Sequence, residues 1–113
     1  MQIYKFGGAS VKDADGVKNV ALLLNELEAK NTIIVISAMG KTTNALEEVV
    51  HNYFNDTDAL NESIQKNVAF HHTIASQLFP PGHLVFKKTQ DLFTELKGFI
   101  ARNKSPQYDF VYD

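Results

Sequence analysis

The chain has 113 residues, 44% of them hydrophobic and 21% charged, with a formal charge of −2 and no cysteine. This fits one globular domain of ordinary size; it excludes disulfides and thiolate metal sites, and no basic excess marks a nucleic-acid partner. No apolar run approaches the roughly 18 residues of a membrane span, and Met1–Lys5 lacks the basic and apolar regions of a signal peptide, so a cytoplasmic protein without a membrane partner is expected.

In chain order, Ile3 to Phe6 reads as a short strand ending at Gly7-Gly8. Asp13 to Lys30 reads as a helix: Val17, Val20, Ala21, Leu24 and Leu27 fall on one stripe at helical spacing. Gly16 weakens its first turn slightly, and Asn31 ends it. Thr32 to Ser37 encloses four consecutive β-branched apolar residues, a run that suits a central strand buried on both faces. Strand, helix and strand within about thirty residues make a parallel, right-handed βαβ unit. The remainder reads as helical. Asn44 to Asn55 carries Leu46, Val49, Val50 and Tyr53 on one side, with Asn44 and Glu47 spaced like a capping box. Asp58 to Phe79 is a long amphipathic stretch broken by Pro80-Pro81-Gly82. Thr89 to Asn103 is a further helix, Lys104-Ser105-Pro106 a boundary, and Gln107 to Asp113 an aromatic tail. Two strands make a poor sheet, so the sequence reads as an N-terminal part of a single larger domain whose exposed strand edges invite self-association.

The chemistry sits in two turns. Lys5-Phe6-Gly7-Gly8-Ala9-Ser10-Val11 places a lysine on a strand that feeds two glycines. Ile33-Ile34-Val35-Ile36-Ser37-Ala38-Met39-Gly40-Lys41-Thr42-Thr43-Asn44 places a second strand before a polar turn. Phosphoryl transfer depends on positioning and on neutralising phosphate charge. A lysine supplies a point charge, glycines let backbone N–H groups approach an anion, and a following helix N-terminus favours it. Ligands of open α/β sheets bind outside the carboxyl ends of the strands. Each turn taken alone also fits a plain structural role, with Gly-Gly as a tight turn and Lys5 as an edge charge. Gly40-Lys41-Thr42 mimics the end of a Walker A loop, but the glycine needed five places before Gly40 is Val35. G-x-G-x-x-G is absent too.

As a pair, the two turns resemble the signatures of aspartate kinases, members of the amino acid kinase family, which more often carry Thr where this chain has Ala9. The resemblance implies a partial amino acid kinase fold: an α/β protein with parallel βαβ strands flanked by helices in three α/β/α layers. It implies ATP and Mg²⁺ as cofactors and transfer of the ATP γ-phosphoryl to the β-carboxylate of L-aspartate. Lys5 would contact the transferred phosphate as the catalytic cation. Gly7, Gly8, Ser10, Ser37 and Gly40 would surround the phosphates, and Thr43 and Asn44 would hold aspartate. The base pocket and the other aspartate ligands come from later segments in this family, so the chain alone is expected to be inactive. A homo-oligomer is expected. A non-catalytic, self-associating or partner-binding module, and an amino acid kinase with another acceptor, stand as alternatives.

His51, His71, His72 and His83 fit packed or surface roles, because adjacent helical residues such as His71 and His72 do not face each other. Asp56, Asp58 and Glu62 lack calcium-loop spacing and suit capping and solvation. No protein metal site is expected; Mg²⁺ would be held mostly by phosphates.

Overall fold

A computed structural model describes residues 1–28, 30–102 and 111. They form β1 (Gln2–Phe6), α1 (Ala14–Glu26), β2 (Thr32–Ile36), α2 (Thr42–Asn55), α3 (Thr57–Leu78) and α4 (Leu84–Arg102). The chain divides into two compact units, Met1–Thr42 and Thr43–Asp113. Among the described residues, no helix is long and apolar enough to cross a membrane. The expected boundary at Lys104–Pro106 and the tail from Gln107 lie outside the described residues, Val111 apart.

The first unit is the expected βαβ arrangement. β1 and β2 pair in parallel, from Gln2 opposite Thr32 to Phe6 opposite Ile36, and α1 makes the crossover. Side chains alternate along a strand. Tyr4 and Phe6 therefore share one face and join Val11, Val17, Val20, Leu24 and Met39 in a small core. Ile3 and Lys5 fall on the other, open face. Asp13 is the N-cap of α1: its Oδ1 accepts the Gly16 N–H at 2.8 Å, a contribution of about 1 kcal/mol.

α1 ends at Glu26, not at Lys30. Glu28 and Asn31 take left-handed φ values of 45° and 51°. These two bends turn the chain back so that Asn31 offers its carbonyl to the Gln2 N–H at 3.3 Å. Asn31 thus aims β2 rather than ending the helix. Gly16 is not a mere weakness either, since a Cβ there would lie 2.5 Å from the Ser10 carbonyl oxygen. Gly16→Ala is therefore expected to destabilise the first unit by about 2 kcal/mol. Helix propensity alone would give a gain of about 1 kcal/mol, so the sign of the shift in a urea midpoint decides between packing and propensity.

The reading of β2 as buried on both faces is corrected. Ile33, Ile34, Val35 and Ile36 are 47%, 39%, 44% and 55% exposed. Its apolar run forms the strand, but among the described residues only β1 pairs with it.

The second unit packs α3 against α2 and α4 through Val49, Leu60 and Ile64, with Tyr53, Val68 and Ile100 around them. Its buried polar groups are bonded: Ser63 Oγ donates to the Leu60 carbonyl at 2.8 Å, and Asn67 Nδ2 to that of Ser63 at 3.2 Å. Asp56 caps α3 by accepting the Ala59 N–H at 3.1 Å, the capping role expected for it. α2 begins at Thr42, which puts Asn44 inside the first turn rather than at the cap. α4 begins at Leu84, five residues before the expected Thr89. The missed signal is His83, whose Nδ1 accepts the Val85 N–H at 3.0 Å and so takes the part of a capping side chain. His71 donates from Nδ1 to the Asn67 carbonyl at 2.8 Å, and its ring meets Phe93 edge-on at 5.6 Å. It is a packed histidine.

Candidate phosphate site

The strand register builds the site. Because Phe6 pairs with Ile36, the two strands end level, and both turns leave from the carboxyl edge of the sheet, where α/β ligands bind. In the first turn the Ser10 N–H bonds to the Gly7 carbonyl at 3.0 Å and the Val11 N–H to that of Gly8 at 3.3 Å. In the second, the Ser37 N–H bonds to the Phe6 carbonyl at 2.9 Å. Gly40 has φ 57°, a left-handed conformation that favours glycine. The Thr42 hydroxyl and N–H both reach the Met39 carbonyl, and Thr42 is buried.

The two turns meet at Gly8. The Gly40 N–H donates to the Gly8 carbonyl at 3.2 Å, and a Cβ on Gly8 would lie 2.6 Å from the Gly40 carbonyl oxygen. Gly8 is thus required by backbone-to-backbone contact, a role the sequence did not assign to it. Gly7 differs: a Cβ there would meet nothing within 4 Å, so its side of the turn is open.

Among the described residues, the N–H groups of Gly7, Gly8 and Ala9 donate to no protein acceptor. Three consecutive free amides in a turn suit an anion, which is the fit a nucleotide phosphate would need. Lys5 is exposed, has no ion-pair partner among the described residues, and stands two residues before Gly7 on the open face. Ser10 and Ser37 are exposed, and Ser37 Oγ donates to the Ala38 carbonyl at 3.1 Å. The N-terminus of α1 contributes less than expected: the Asp13 carboxylate takes the Gly16 amide, and Asp15 adds a second negative charge to the first turn. Lys5, Gly7, Gly8, Ser10, Ser37 and Gly40 all belong to the first unit. Thr43 and Asn44 are exposed in the first turn of α2 and belong to the second. No group of three or more His, Asp or Glu side chains suited to a metal occurs among the described residues.

Sequence reasoning missed Gly16, Met39 and Thr42 as supports of the turns. Thr42 carries a legible signal, a hydroxyl three residues after the carbonyl it reaches. Met39 and Gly16 carry none, because their roles depend on tertiary proximity.

A match to the Amino acid kinase family covers residues 1–96. The chain is similar to Aspartokinase 2, chloroplastic, of Arabidopsis thaliana, with 50% identity over 44 residues, 39% of this chain and 8% of that protein. It is also similar to Bifunctional aspartokinase/homoserine dehydrogenase 1, chloroplastic, of the same organism, with 25% identity over 100 residues, 88% of this chain and 10% of that protein. A further relative, Bifunctional aspartokinase/homoserine dehydrogenase, chloroplastic, of Daucus carota, is 26% identical over 76 residues, 67% of this chain and 8% of that protein. The chain thus spans a tenth or less of the length of these relatives. With a βαβ unit that ends in two interlocked glycine turns, and a family match running through most of its length, the chain belongs to the amino acid kinase family.

Proposed function

We propose that this chain forms the phosphate half-site of an aspartate kinase, which moves the γ-phosphoryl group of ATP to the β-carboxylate of L-aspartate. A carboxylate oxygen bonds to the γ-phosphorus, the bond to the β–γ bridging oxygen breaks, and ADP leaves. Here Lys5 neutralises charge on the transferred group, the catalytic part that this chain supplies. Gly7 and Gly8 offer amide donors to the phosphates, with Ser10, Ser37 and Gly40 shaping the same edge. Thr43 and Asn44 engage aspartate from the first turn of α2, where a carboxylate is favoured. Mg²⁺ accompanies the nucleotide, and the acting protein is a homo-oligomer.

The observation that carries the proposal is the level ending of β1 and β2, with Gly8 closed on Gly40 and three free amides that follow Lys5 in the chain. The aspartokinase names of the relatives favour aspartate over another acceptor. Lys5→Met tests it. Losing one charge-assisted contact should weaken Mg-ATP binding by roughly tenfold, about 1.4 kcal/mol. Equal affinity of the variant and the parent chain would remove Lys5 from the phosphate site.

The alternative of a self-associating module is favoured by one feature, the exposed apolar β2. It needs no response to nucleotide at all, so the same titration separates the two.

A further inference from the structure

We propose that the cleft between α3 and α4 binds a small organic anion with a flat aromatic body, a carboxylate of the size of 3-phenylpropionate. The site lies wholly within the second unit and does not depend on the phosphate turns.

The cleft has a volume of about 320 Å³, at the lower end of the range for small-molecule sites. α4 has no buried residue along its length, so its apolar side is only partly covered by α3. Phe86 and Phe93, seven residues apart, stand on one face of α4 and wall the cleft, while Val68 and Ala75 of α3 line it opposite. The His72 ring lies 5.4 Å from Phe86, tilted by 57°. Aromatic rings favour such offset and edge contacts, and a flat ring entering between Phe86 and Phe93 would gain the same kind.

The polar side of the cleft selects charge. Gln90, Thr94 and Lys97 follow one another at spacings of four and three along α4, and all three line the cleft. Their side chains have no hydrogen-bond partner among the described residues. Lys97 has no ion pair there, whereas Lys66 pairs with Glu62 at 3.9 Å and Lys87 with Asp91 at 3.1 Å. No lining residue is acidic. An apolar slot with one exposed, unpaired cation and two exposed hydrogen-bonding side chains among its lining residues is complementary to an aromatic carboxylate. It is not complementary to a cation or to a wholly apolar molecule.

The test uses the intact chain and two probes of equal shape, 3-phenylpropionate and its neutral analogue 3-phenylpropionamide, followed in amide NMR spectra. The carboxylate should shift Phe86, Gln90, Phe93, Thr94 and Lys97 saturably, and the amide should bind about fivefold more weakly, the loss of one exposed charge pair. Lys97→Gln should bring the carboxylate down to the affinity of the amide while leaving the rest of the spectrum in place. Phe93→Ala should lower the affinity for both probes; if that variant unfolds the second unit, Lys97→Gln alone decides. Equal binding of the two probes to the parent chain, no saturable shift by either, or shifts at the Gly7–Ser10 turn instead would each overturn the proposal.

Discussion

Gly8→Ala will destabilise the first unit by about 3 kcal/mol, while Gly7→Ala will change its stability by less than about 0.5 kcal/mol. Overpacking costs typically reach about 3 kcal/mol, and exposed sites away from special features stay within about 0.5 kcal/mol. The two glycines are neighbours, neither is in a left-handed conformation, and helix or strand propensity does not separate them. What separates them is space. A methyl group added at Gly8 would lie 2.6 Å from the Gly40 carbonyl oxygen, with the Ala38 carbonyl oxygen next at 3.4 Å, and both belong to main chain that cannot swing aside. Relief requires the two turns to part, which breaks the 3.2 Å bond from the Gly40 N–H to the Gly8 carbonyl. At Gly7 the same methyl meets nothing within 4 Å. Urea unfolding of the two variants, followed by circular dichroism, checks this directly. Equal midpoints would mean that the turns are not locked together at Gly8. Gly7→Ala also separates fold from function: its methyl points to open space beside the free amides, so it should keep the fold and weaken Mg-ATP binding.

The second large effect concerns β2. Four adjacent apolar side chains, each at least 39% exposed, lie on a strand with no charge, proline or bulge to discourage pairing with another chain. The isolated chain should therefore self-associate with rising concentration, and Ile33→Lys should return it to monomer. Ile33 pairs with Ile3 on the open face, where Ile3 is 67% exposed, so a lysine there is solvated without disturbing the core on the α1 side. Sedimentation or light scattering over a wide range of concentration measures the outcome. A monodisperse monomer throughout the range would show that β2 is not an association surface.

The elements and the candidate site were legible to different depths. β1, α1 and β2 follow from local pattern: short apolar runs at the strands and an apolar stripe at helical spacing between them. The two phosphate turns were legible as motifs because lysine, glycine and hydroxyl residues recur at strand ends. Their interlocking was not, because the contact of Gly8 with Gly40 joins residues distant in sequence, and that of Gly16 with Ser10 depends on how the first turn folds back on α1. The burial of β2 was misjudged for a related reason. A run of isoleucine and valine states what a strand needs on its two faces, not what the chain supplies there. The start of α4 was missed because a histidine ring nitrogen, at His83, takes the role usually assigned to Ser, Thr, Asp or Asn. The end of α1 was misplaced because its apolar stripe runs on to Leu27, while the geometry of the crossover forces the left-handed residues Glu28 and Asn31.

The most direct test of the phosphate half-site is an amide NMR titration of the intact chain with Mg-ATP, repeated with Lys5→Met. Saturable shifts centred on Gly7, Gly8, Ala9, Ser10, Ser37 and Gly40, reduced in the variant, are the expected result. A dispersed spectrum in which these amides do not respond to Mg-ATP would contradict it.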